Sequence, residues 1–224
     1  ESFLDENNFG IICLQETKCP DTVQLPSFIK EKYNYRYLNE NKGITQKKGF
    51  SGVAVWSKIE PISVFVPNWD EEGRVLVLEF EEFIICNVYV PNSQIINSER
   101  YEFRVNVWDN NLLNLVCDLN VQKPTIIVGD FNVVATEKEY WNFKKNRNCG
   151  PGLYDQERLN FSKYFDNNFI DSFRIDNPNI CDYTYWSYFC KQRKNGHHKV
   201  GSGNGWKLDY ILISKTLKEN FRES

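Results

Sequence analysis

Apolar residues along this chain occur mostly in short runs, and many of these runs end in polar residues. Runs of this kind, rich in Val, Ile and aromatic residues, are typical of buried or half-buried strands. Tyr33, Tyr35 and Tyr37 alternate with polar residues, which predicts a strand with one buried face. The pattern therefore predicts strands over 11–14, 33–37, 52–57, 62–66, 74–80, 83–90, 125–129, 183–189 and 206–213.

Two stretches have the spacing of an amphipathic helix instead. From residue 97 to 120, apolar residues recur three or four positions apart, which places them on one side of a helix. They are Tyr101, Val105, Trp108, Leu112, Leu115 and Leu119. Asn97 or Ser98 can cap this helix at its first turn. A second helix is predicted over 155–167, with Leu159, Phe161 and Phe165 facing inward.

Many short strands with few helices predict an α/β (α+β) fold in which sheets pack on each other and helices lie outside. The 224 residues suit one large domain, and no internal repeat or flexible linker divides them. We therefore predict a single domain over residues 1–224. The chain contains no methionine and begins at Glu1, so we expect it to be part of a longer chain, incomplete at both ends.

Composition narrows the class of protein. With 41% hydrophobic and 25% charged residues, the chain can bury a sizeable core. Its net charge of −3 argues against general binding of polyanions, although it allows a local basic patch. No apolar run approaches the roughly 18 residues of a membrane span. The seven cysteines include no C-x-x-C pair, so we expect reduced thiols in an intracellular protein.

The stretch TIIVGDFNVV at 125–134 carries the strongest chemical signal. Gly129 ends a buried strand and lets the backbone turn sharply. Asp130 and Asn132 are two positions apart, so their side chains leave an extended backbone on the same side. A carboxylate and an amide placed together can position a water molecule or a phosphate oxygen. An Asx turn that merely closes the strand is the alternative, because Asp and Asn also favour turns.

Other predicted strands also carry polar residues at or near one end. These residues are Gln15 and Glu16, Tyr89 with Asn92, and Asp209. Turn chemistry could explain any one of these three groups. Together with Asp130 and Asn132 they make four groups, which predict a shared cleft at one edge of the sheets. Glu16 and Asp130 offer the hard oxygen ligands that Mg²⁺ prefers. Asn92, Asn132 and the Tyr89 hydroxyl can donate hydrogen bonds to phosphate oxygens.

Eight motifs occur in the order seen in exonuclease III-type apurinic/apyrimidinic (AP) endonucleases, which this chain resembles over nearly its whole length. Those enzymes belong to the endonuclease/exonuclease/phosphatase superfamily. The motifs are LQETKCP at 14–20, GFSGVAVWSK at 49–58, EGRV at 72–75, YVPN at 89–92, GDFNV at 129–133, QER at 156–158, YTYWSY at 183–188 and GWKLDY at 205–210. The resemblance implies a four-layer α-β-β-α sandwich of two mixed sheets flanked by helices.

The resemblance also implies roles for individual residues. Glu16 matches a glutamate that ligates the metal, and Asp130 matches the aspartate that activates or orients the attacking water. Asn92 and Asn132 match asparagines that contact or orient the phosphate, and Tyr89 matches a tyrosine beside the scissile phosphate. The implied metal ligands are Glu16, Asp130 and Asn132. The implied metal is Mg²⁺, with Mn²⁺ as an alternative.

Three residues match the apolar pocket that receives the extruded abasic sugar: Tyr185, Trp206 and Leu208. Phenylalanine is common at the first of these positions, so Tyr185 is a modest departure. Tyr185 and Trp206 could also be ordinary core aromatics. Asp209 matches a motif aspartate with a supporting role. Extruding an abasic sugar costs less than extruding a normal nucleotide, because no base has to be unstacked.

Two parts of the family pattern are absent. They are the opening Trp-Asn-x-x-Gly motif and the closing Ser-Asp-His motif, which supplies the catalytic histidine. The two histidines of this chain, His197 and His198, lie in a Gly-rich loop, where a solvated pair is a simpler interpretation than a substitute for that histidine. The basic stretches 41–59 and 191–208 contain no acid and would contact the DNA backbone.

These matches predict a Mg²⁺-dependent DNA repair endonuclease that cuts 5′ to abasic sites in duplex DNA, together with 3′–5′ exonuclease or 3′-phosphodiesterase activity. Two alternatives stay open. One is another phosphoesterase of the superfamily, such as a retrotransposon-type endonuclease or a phosphatase. The other is a non-catalytic DNA-binding segment. We expect a monomer without a membrane partner, located in the nucleus of a eukaryote or in another DNA-containing organelle such as the mitochondrion.

Overall fold

The computed structural model describes residues 2–20, 24–41, 49–180, 182–186 and 205–223. The strands are β1 (Ile11–Gln15), β2 (Tyr35–Asn39), β3 (Val53–Ser57), β4 (Ser63–Phe65), β5 (Val75–Glu79), β6 (Ile84–Tyr89), β7 (Thr125–Asp130), β8 (Phe169–Asp171), β9 (Tyr185–Trp186), β10 (Gly205–Trp206) and β11 (Asp209–Ser214). The α-helices are α1 (Ser2–Glu6), α2 (Ser27–Lys32), α3 (Glu99–Glu102), α4 (Asp109–Gln122), α5 (Phe143–Asn146), α6 (Asp155–Asp166) and α7 (Ser172–Asp176). Short 3₁₀ segments cover Glu137–Glu139 and Lys215–Asn220.

The chain divides into two compact units. The first unit contains Glu1–Tyr89 and Thr125–Gly129, and the second contains Val90–Pro124 and Asp130–Ser224. Their boundaries fall within two of the motifs noted above, between Tyr89 and Val90 and between Gly129 and Asp130. No helix in the described ranges is long and apolar enough to cross a membrane.

Two sheets pack face to face in the first unit. In the smaller sheet, β1 and β2 each pair antiparallel with β3, and in the other sheet the strand order begins β4-β5-β6-β7. The smaller sheet packs on β5 and β6. The buried residues between the sheets are Val53, Val55, Leu76, Leu78, Phe80 and Ile85. The predicted α/β class, with two sheets packed together and flanked by helices, is confirmed.

Sequence-based strand positions agree well with the first unit, with two differences. The alternation over 74–80 predicts one exposed face, yet residues Val75 to Leu78 of β5 are all buried, because both faces of this strand are covered. Tyr33 is not part of β2. It follows the last residue of α2 and is completely buried, with its hydroxyl donating to the Phe9 carbonyl at 3.2 Å.

Gly129 allows β7 to lie very close to its neighbour β6. Its φ angle is +150°, and a Cβ atom at this position would lie 1.9 Å from the Val88 carbonyl oxygen. Only glycine therefore fits here without displacing the strand. Asp130 is the next residue in the chain.

The second unit contains the predicted long helix. It runs from α3 to α4 without a break, but Phe103–Trp108 between them is π-helical. Ser98 caps the first turn, where its Oγ accepts from Tyr101 N at 3.1 Å. The predicted apolar stripe is buried except at Leu115, which is half-buried. Val116 takes the inward position because it lies four residues after Leu112 on the same side of the helix.

Helix α6 confirms the second predicted helix but corrects its inward face. Its buried residues are Glu157, Asn160, Phe161 and Tyr164, whose spacing places them on one side of the helix. Phe161 was predicted correctly and Phe165 is half-buried. Leu159 is 57% exposed, so its predicted inward position was wrong.

The remaining strands of the second unit form two antiparallel pairs. β8 pairs antiparallel with β11, and β9 pairs antiparallel with β10. The strand predicted over 206–213 is interrupted between β10 and β11, so that Lys207 and Leu208 lie in the gap. In the predicted aromatic strand, β9 covers only Tyr185–Trp186, and 187–189 lie outside the described residues.

Candidate active site

Glu16 follows β1 directly and has a left-handed backbone conformation, with φ at 53°. The N–H groups of Thr17 and Lys18 donate to the carbonyls of Gly52 and Ser51 at 3.1 and 2.8 Å, which anchors this turn to the segment before β3. Lys18 Nζ lies 2.7 Å from Glu16 Oε1, and the Glu16 side chain is 51% exposed. The anchored, accessible carboxylate suits a hard divalent cation.

A buried asparagine supports the end of β1. Asn87, in the middle of β6, is completely buried between the two sheets of the first unit. Its Oδ1 accepts from Gln15 Nε2 at 2.7 Å, and its Nδ2 donates to the carbonyls of Leu14 and Ala54 at 3.1 and 2.9 Å. These bonds fix the strand end that carries Glu16. Nothing in the sequence marks Asn87 as a support, because one polar residue in an apolar run does not reveal its partners.

Tyr89, at the end of β6, is held by Arg74. The Arg74 guanidinium lies 4.7 Å from the centre of the Tyr89 ring, and Arg74 Nη1 donates to the Tyr89 carbonyl at 3.0 Å. Arg74 Nε donates to Glu72 Oε2 at 2.6 Å, and both side chains are almost completely buried. A second ring, that of Phe50, lies 5.4 Å from the same guanidinium. Arg74 therefore fixes the plane of the Tyr89 ring.

The acidic turn before β5 organises this arrangement. Asp70 Oδ2 accepts from Arg74 N at 2.7 Å, from Val75 N at 2.8 Å and from Asn39 Nδ2 at 2.8 Å. Burial raises the pKa of Asp70, although these backbone donors oppose the shift. The carboxylate thus holds the turn that leads into Arg74. Asp70 lies outside the eight motifs, so nothing in the sequence indicated this role.

In the second unit, Asp130 and Asn132 are hydrogen-bonded to each other. Asp130 Oδ1 accepts from Asn132 N at 2.8 Å, and Asp130 Oδ2 lies 3.2 Å from Asn132 Nδ2. Asn132 Nδ2 also donates to the Val90 carbonyl at 2.9 Å, and Val90 N donates to the Asp130 carbonyl at 2.8 Å. The Asx turn raised as an alternative is therefore present. It also fixes the carboxylate and the amide side by side, so the two interpretations are compatible.

Phe131, between these two residues, anchors the loop in the core. Its N–H donates to the Leu208 carbonyl at 2.8 Å, which joins the Asp130 loop to the GWKLDY segment. Its ring is almost completely buried and meets Phe161, Tyr164 and Tyr210 edge-on, at 5.2 to 5.8 Å. Edge-on aromatic contacts are favourable and fix ring orientation.

Arg104 supports the same loop from the π-helical segment. Its Nη2 donates to the Phe131 carbonyl at 3.1 Å. Its Nε lies 2.8 Å from Asp109 Oδ1, and its Nη1 lies 3.5 Å from Glu157 Oε1. Burial raises the pKa of both Asp109 and Glu157, and the nearby Arg104 opposes the shift in each case. π-Helical turns occur often at functional sites.

Asn92 lies in the exposed loop after β6. Its Oδ1 accepts from Gln94 N at 2.9 Å, which is an Asx turn. Its amide group is the part that could donate to a phosphate oxygen. The predicted phosphate contact of Asn92 therefore stays a prediction.

Asp209, at the start of β11, is connected to Thr184. Thr184 Oγ1 accepts from Leu208 N and Asp209 N at 3.0 and 3.1 Å. Burial raises the pKa of the Asp209 carboxyl, and a hydrogen bond with the Thr184 side chain lowers it. Thr184 lies within the YTYWSY motif, but the sequence analysis did not single it out.

The predicted pocket residues belong to one apolar cluster that contains several aromatic rings. Leu208 is buried with Val134, Tyr140, Phe143 and Leu153, and Trp206 packs against this group. The Trp206 ring meets Tyr140 edge-on at 4.6 Å and Tyr185 edge-on at 6.4 Å. Tyr185 is 44% exposed, so it is not an ordinary core aromatic.

Gly152 lies between this cluster and the Asp130 loop. Its φ angle is +80°, and a Cβ atom here would lie 3.2 Å from the Asn132 carbonyl oxygen and 3.6 Å from the Trp206 ring. Its carbonyl also accepts from Val134 N at 2.9 Å. Gly152 therefore lies close to both the Trp206 ring and the main chain of Asn132 within the second unit.

The predicted site residues are thus distributed over both units. Glu16 and Tyr89 belong to the first unit, and the other seven belong to the second. Their convergence on one cleft stays a prediction. Among the described residues, no group of three or more Asp, Glu, His or Cys side chains could by itself hold a metal ion. His197, His198 and most residues of the two basic stretches, including Lys42, lie outside the described residues.

Comparisons with known proteins identify a family and several relatives that are similar to this chain. A model of the endonuclease/exonuclease/phosphatase family matches residues 1–223. The exodeoxyribonuclease of Bacillus subtilis is 39% identical, over 100% of this chain and 84% of that protein. The DNA-(apurinic or apyrimidinic site) endonuclease of Dictyostelium discoideum is 31% identical over 99% of this chain, which spans 59% of that relative's length. The structure of an AP endonuclease from Archaeoglobus fulgidus matches with a TM-score of 0.81 and 25% identity, over 97% of this chain and 81% of that one.

Proposed function

Because the chain belongs to the endonuclease/exonuclease/phosphatase family, we propose that it is a DNA repair endonuclease that hydrolyses the phosphodiester bond 5′ to abasic sites in duplex DNA. One observation carries this proposal. In the second unit, the apolar cluster that contains Tyr185, Trp206 and Leu208 is joined to the loop of the hydrogen-bonded pair Asp130 and Asn132, because Phe131 N donates to the Leu208 carbonyl at 2.8 Å. This combination suits a substrate whose sugar enters an apolar pocket while its phosphate meets polar groups.

The Asp130 carboxylate is the group that takes the proton from the attacking water. The water oxygen attacks phosphorus and the bond from phosphorus to the 3′ oxygen breaks. The 3′ oxygen takes up a proton from solvent, so the strand upstream of the abasic site leaves with a 3′-hydroxyl and the abasic nucleotide keeps the phosphate. Asn132 fixes the Asp130 carboxylate through two contacts at 2.8 and 3.2 Å, so the base is held in one orientation. A positioned general base of this type contributes about 10²–10⁴-fold to the rate.

The other site residues bind and orient the phosphate. The Tyr89 hydroxyl donates to a phosphate oxygen, and Arg74 holds the ring that carries it. Asn92 donates through its amide group. Asp209 has a supporting role, in which Thr184 holds its main chain and its carboxyl group.

Members of this superfamily generally depend on a divalent metal ion. We propose Mg²⁺, with Mn²⁺ as a substitute, held by Glu16, Asp130 and Asn132. Mg²⁺ commonly keeps several waters and uses one or two protein carboxylates together with substrate phosphates, so this small set of oxygen ligands is suitable. When bound, the metal neutralises negative charge that develops on the phosphate and on the leaving oxygen.

The pocket determines which nucleotide is accepted. Trp206 and Leu208 pack with buried residues, and we expect the pocket that they line to exclude a sugar that still carries its base. An abasic sugar has no base to accommodate, and its extrusion does not require a base to be unstacked. A 3′–5′ exonuclease activity of the same site is a further part of the proposal, because one relative is named an exodeoxyribonuclease.

The test is a comparison of substrates with the purified protein in the presence of Mg²⁺. A duplex with one tetrahydrofuran abasic analogue should be incised at that position, and the same duplex without the analogue should show no internal incision. Inositol phosphates should release no phosphate. Equal hydrolysis of inositol phosphates would favour a phosphatase, and binding of abasic duplex without incision would favour a non-catalytic DNA-binding segment. Chelation of the metal should abolish the incision.

A further inference from the structure

Lys207 lies between the two proposed pocket residues Trp206 and Leu208, yet its side chain points into a separate, charged part of the interior. We infer that Lys207 is a positioning residue, whose buried ammonium group sets the depth of the abasic-sugar pocket. The inference rests on the proposed function, because it concerns the selectivity of that same pocket.

The ammonium group is held by two acids. Lys207 is 4% exposed, and its Nζ lies 2.5 Å from Asp171 Oδ2 and 3.9 Å from Glu139 Oε1. Nζ also lies 4.4 Å from the ring centre of Tyr210 and 4.8 Å from that of Phe173. Lysine is rarely buried to this extent unless it is paired. With partners on several sides, the side chain has one well-defined position.

The main chain of Lys207 is fixed as well. Its N–H donates to the Glu139 carbonyl at 2.9 Å, and its carbonyl accepts from the Tyr210 hydroxyl at 3.0 Å. Glu139 is itself fixed, because its Oε1 accepts from Arg174 Nη2 at 2.6 Å and its Oε2 accepts from Thr136 N at 2.8 Å. The charged cluster of Glu139, Asp171, Arg174 and Lys207 is therefore a rigid support.

The partners of Lys207 and those of the pocket residues form separate groups. Lys207 contacts the charged cluster and the rings of Phe173 and Tyr210, whereas Leu208 and Trp206 pack with the apolar group around Val134 and Tyr140. The segment thus has a charged anchor on one side and the pocket on the other. Because Trp206 and Leu208 are the covalent neighbours of Lys207, a shift of the anchor moves both pocket side chains. Such a shift changes which sugars fit, whereas the two bonds between Asp130 and Asn132 are local to their own loop and involve no atom of Lys207.

The expected effect is on selectivity. Lys207→Met keeps the length of the side chain and removes its charge. Residues 206–208 should then no longer be held in one position relative to the charged cluster. We expect the kcat/KM for a tetrahydrofuran-containing duplex to fall about 10- to 100-fold, the loss that a misplacement of about 1 Å can cause, with most of the loss in KM. The ratio of incision at the abasic analogue to removal of an ordinary 3′-terminal nucleotide should fall as well. Lys207→Arg keeps the charge and should retain most of the selectivity.

A purely structural role is distinguished by a double variant. Lys207→Met leaves two acids buried with reduced compensation, which is destabilising by itself. In Asp171→Asn/Lys207→Met one of those acids is neutralised, so the melting temperature should recover. The positioning role predicts that selectivity stays low in this double variant. Lys218→Met removes an exposed lysine and is the matched control. We expect it to change neither the melting temperature nor the selectivity.

The closing experiment measures melting temperature, the two incision rates, and binding of abasic and undamaged duplexes without metal, for the protein and for all four variants. Recovery of both stability and selectivity in the double variant would overturn the inference. An unchanged selectivity ratio in Lys207→Met would overturn it too. If the protein without substitutions neither incises the abasic duplex nor prefers it in binding, the proposed function fails, and the inference fails with it.

Discussion

Each of the two compact units holds one buried arginine beside predicted site residues. Arg74 in the first unit and Arg104 in the second are both only 2% exposed. Each is paired with a buried glutamate, Arg74 with Glu72 at 2.6 Å and Arg104 with Glu157 at 3.5 Å. Each also donates to one main-chain carbonyl, so the two units use similar means to hold a site segment in place.

The two arginines differ in what they hold. Arg74 donates to the Tyr89 carbonyl and also stacks on the ring of that same residue. Arg104 reaches only the main chain of the loop, at the Phe131 carbonyl, and pairs with a second acid, Asp109. Loss of Arg74 should therefore act mainly on the orientation of the Tyr89 ring. Loss of Arg104 should act mainly on stability, because it leaves more buried charge without compensation.

The largest expected effect is on the cleavage rate and concerns Asp130, which lies in the loop that Arg104 supports. Asp130→Asn should lower the cleavage rate at an abasic site about 10²–10⁴-fold and preserve binding of abasic DNA, because the charge is needed to take a proton from water. The measurement is single-turnover incision together with a binding titration without metal. Asp118→Asn, at an exposed position of α4, is the control and should behave like the unsubstituted protein. A loss under about tenfold would reject Asp130 as the general base.

The next effect concerns the stability that Arg104 supplies. Arg104→Met should lower the free energy of unfolding by about 3–5 kcal/mol, because Asp109 and Glu157 would remain buried without their cation. Urea denaturation would measure this change. The control Arg222→Met changes an exposed arginine near the end of the described chain. A loss of less than about 1 kcal/mol would mean that the Arg104 cluster contributes little, as exposed ion pairs do.

A smaller effect is expected for Arg74. Arg74→Lys keeps the charge beside Glu72 but loses the planar group that stacks on Tyr89. We expect kcat to fall about 3- to 30-fold, the range that a cation–π contact can account for, with a smaller loss of stability than in Arg104→Met. Parallel measurements of kcat and melting temperature would compare the two variants. Proportional losses of rate and stability in both variants would show that the two arginines play the same role.

The smallest effect concerns the pH dependence of Asp209. Burial raises its pKa and Thr184 opposes the shift, so Thr184→Val should raise the pKa further. The acidic limb of the kcat/KM profile should then move to higher pH, because the carboxyl group becomes protonated sooner. A folded-state pKa that is raised contributes stability at low pH, and this stability is lost as the pH rises through that pKa. In Thr184→Val the pH range over which protonated Asp209 stabilises the fold should therefore extend to higher pH. Thr216→Val, at an exposed position, should leave the profile unchanged.

Much of the architecture followed from the sequence alone. The positions of strands such as β1, β3, β6 and β7 are set by short apolar runs, and the helical run from 99 to 122 is set by its three- and four-residue spacing. The resemblance carried by eight short motifs is confirmed by the family model that matches residues 1–223. Local errors arose where the apolar residue was not the inward one. Leu159 lies on the exposed side of α6, while Glu157 and Asn160 are buried.

The supporting residues of the site could be found only in the tertiary structure. Asn87 and Gln15 are 72 positions apart, Arg104 and Phe131 are 27 apart, and Lys207 and Asp171 are 36 apart. Periodicity and turn preference describe neighbours within a few positions, so they locate Asp130 and Asn132, whose bonds are local. A buried polar side chain is stable only when distant groups satisfy it, and the sequence does not state which groups those are. The sequence therefore determined the strands and the residues proposed to react, and the folded chain determined what holds those residues in place.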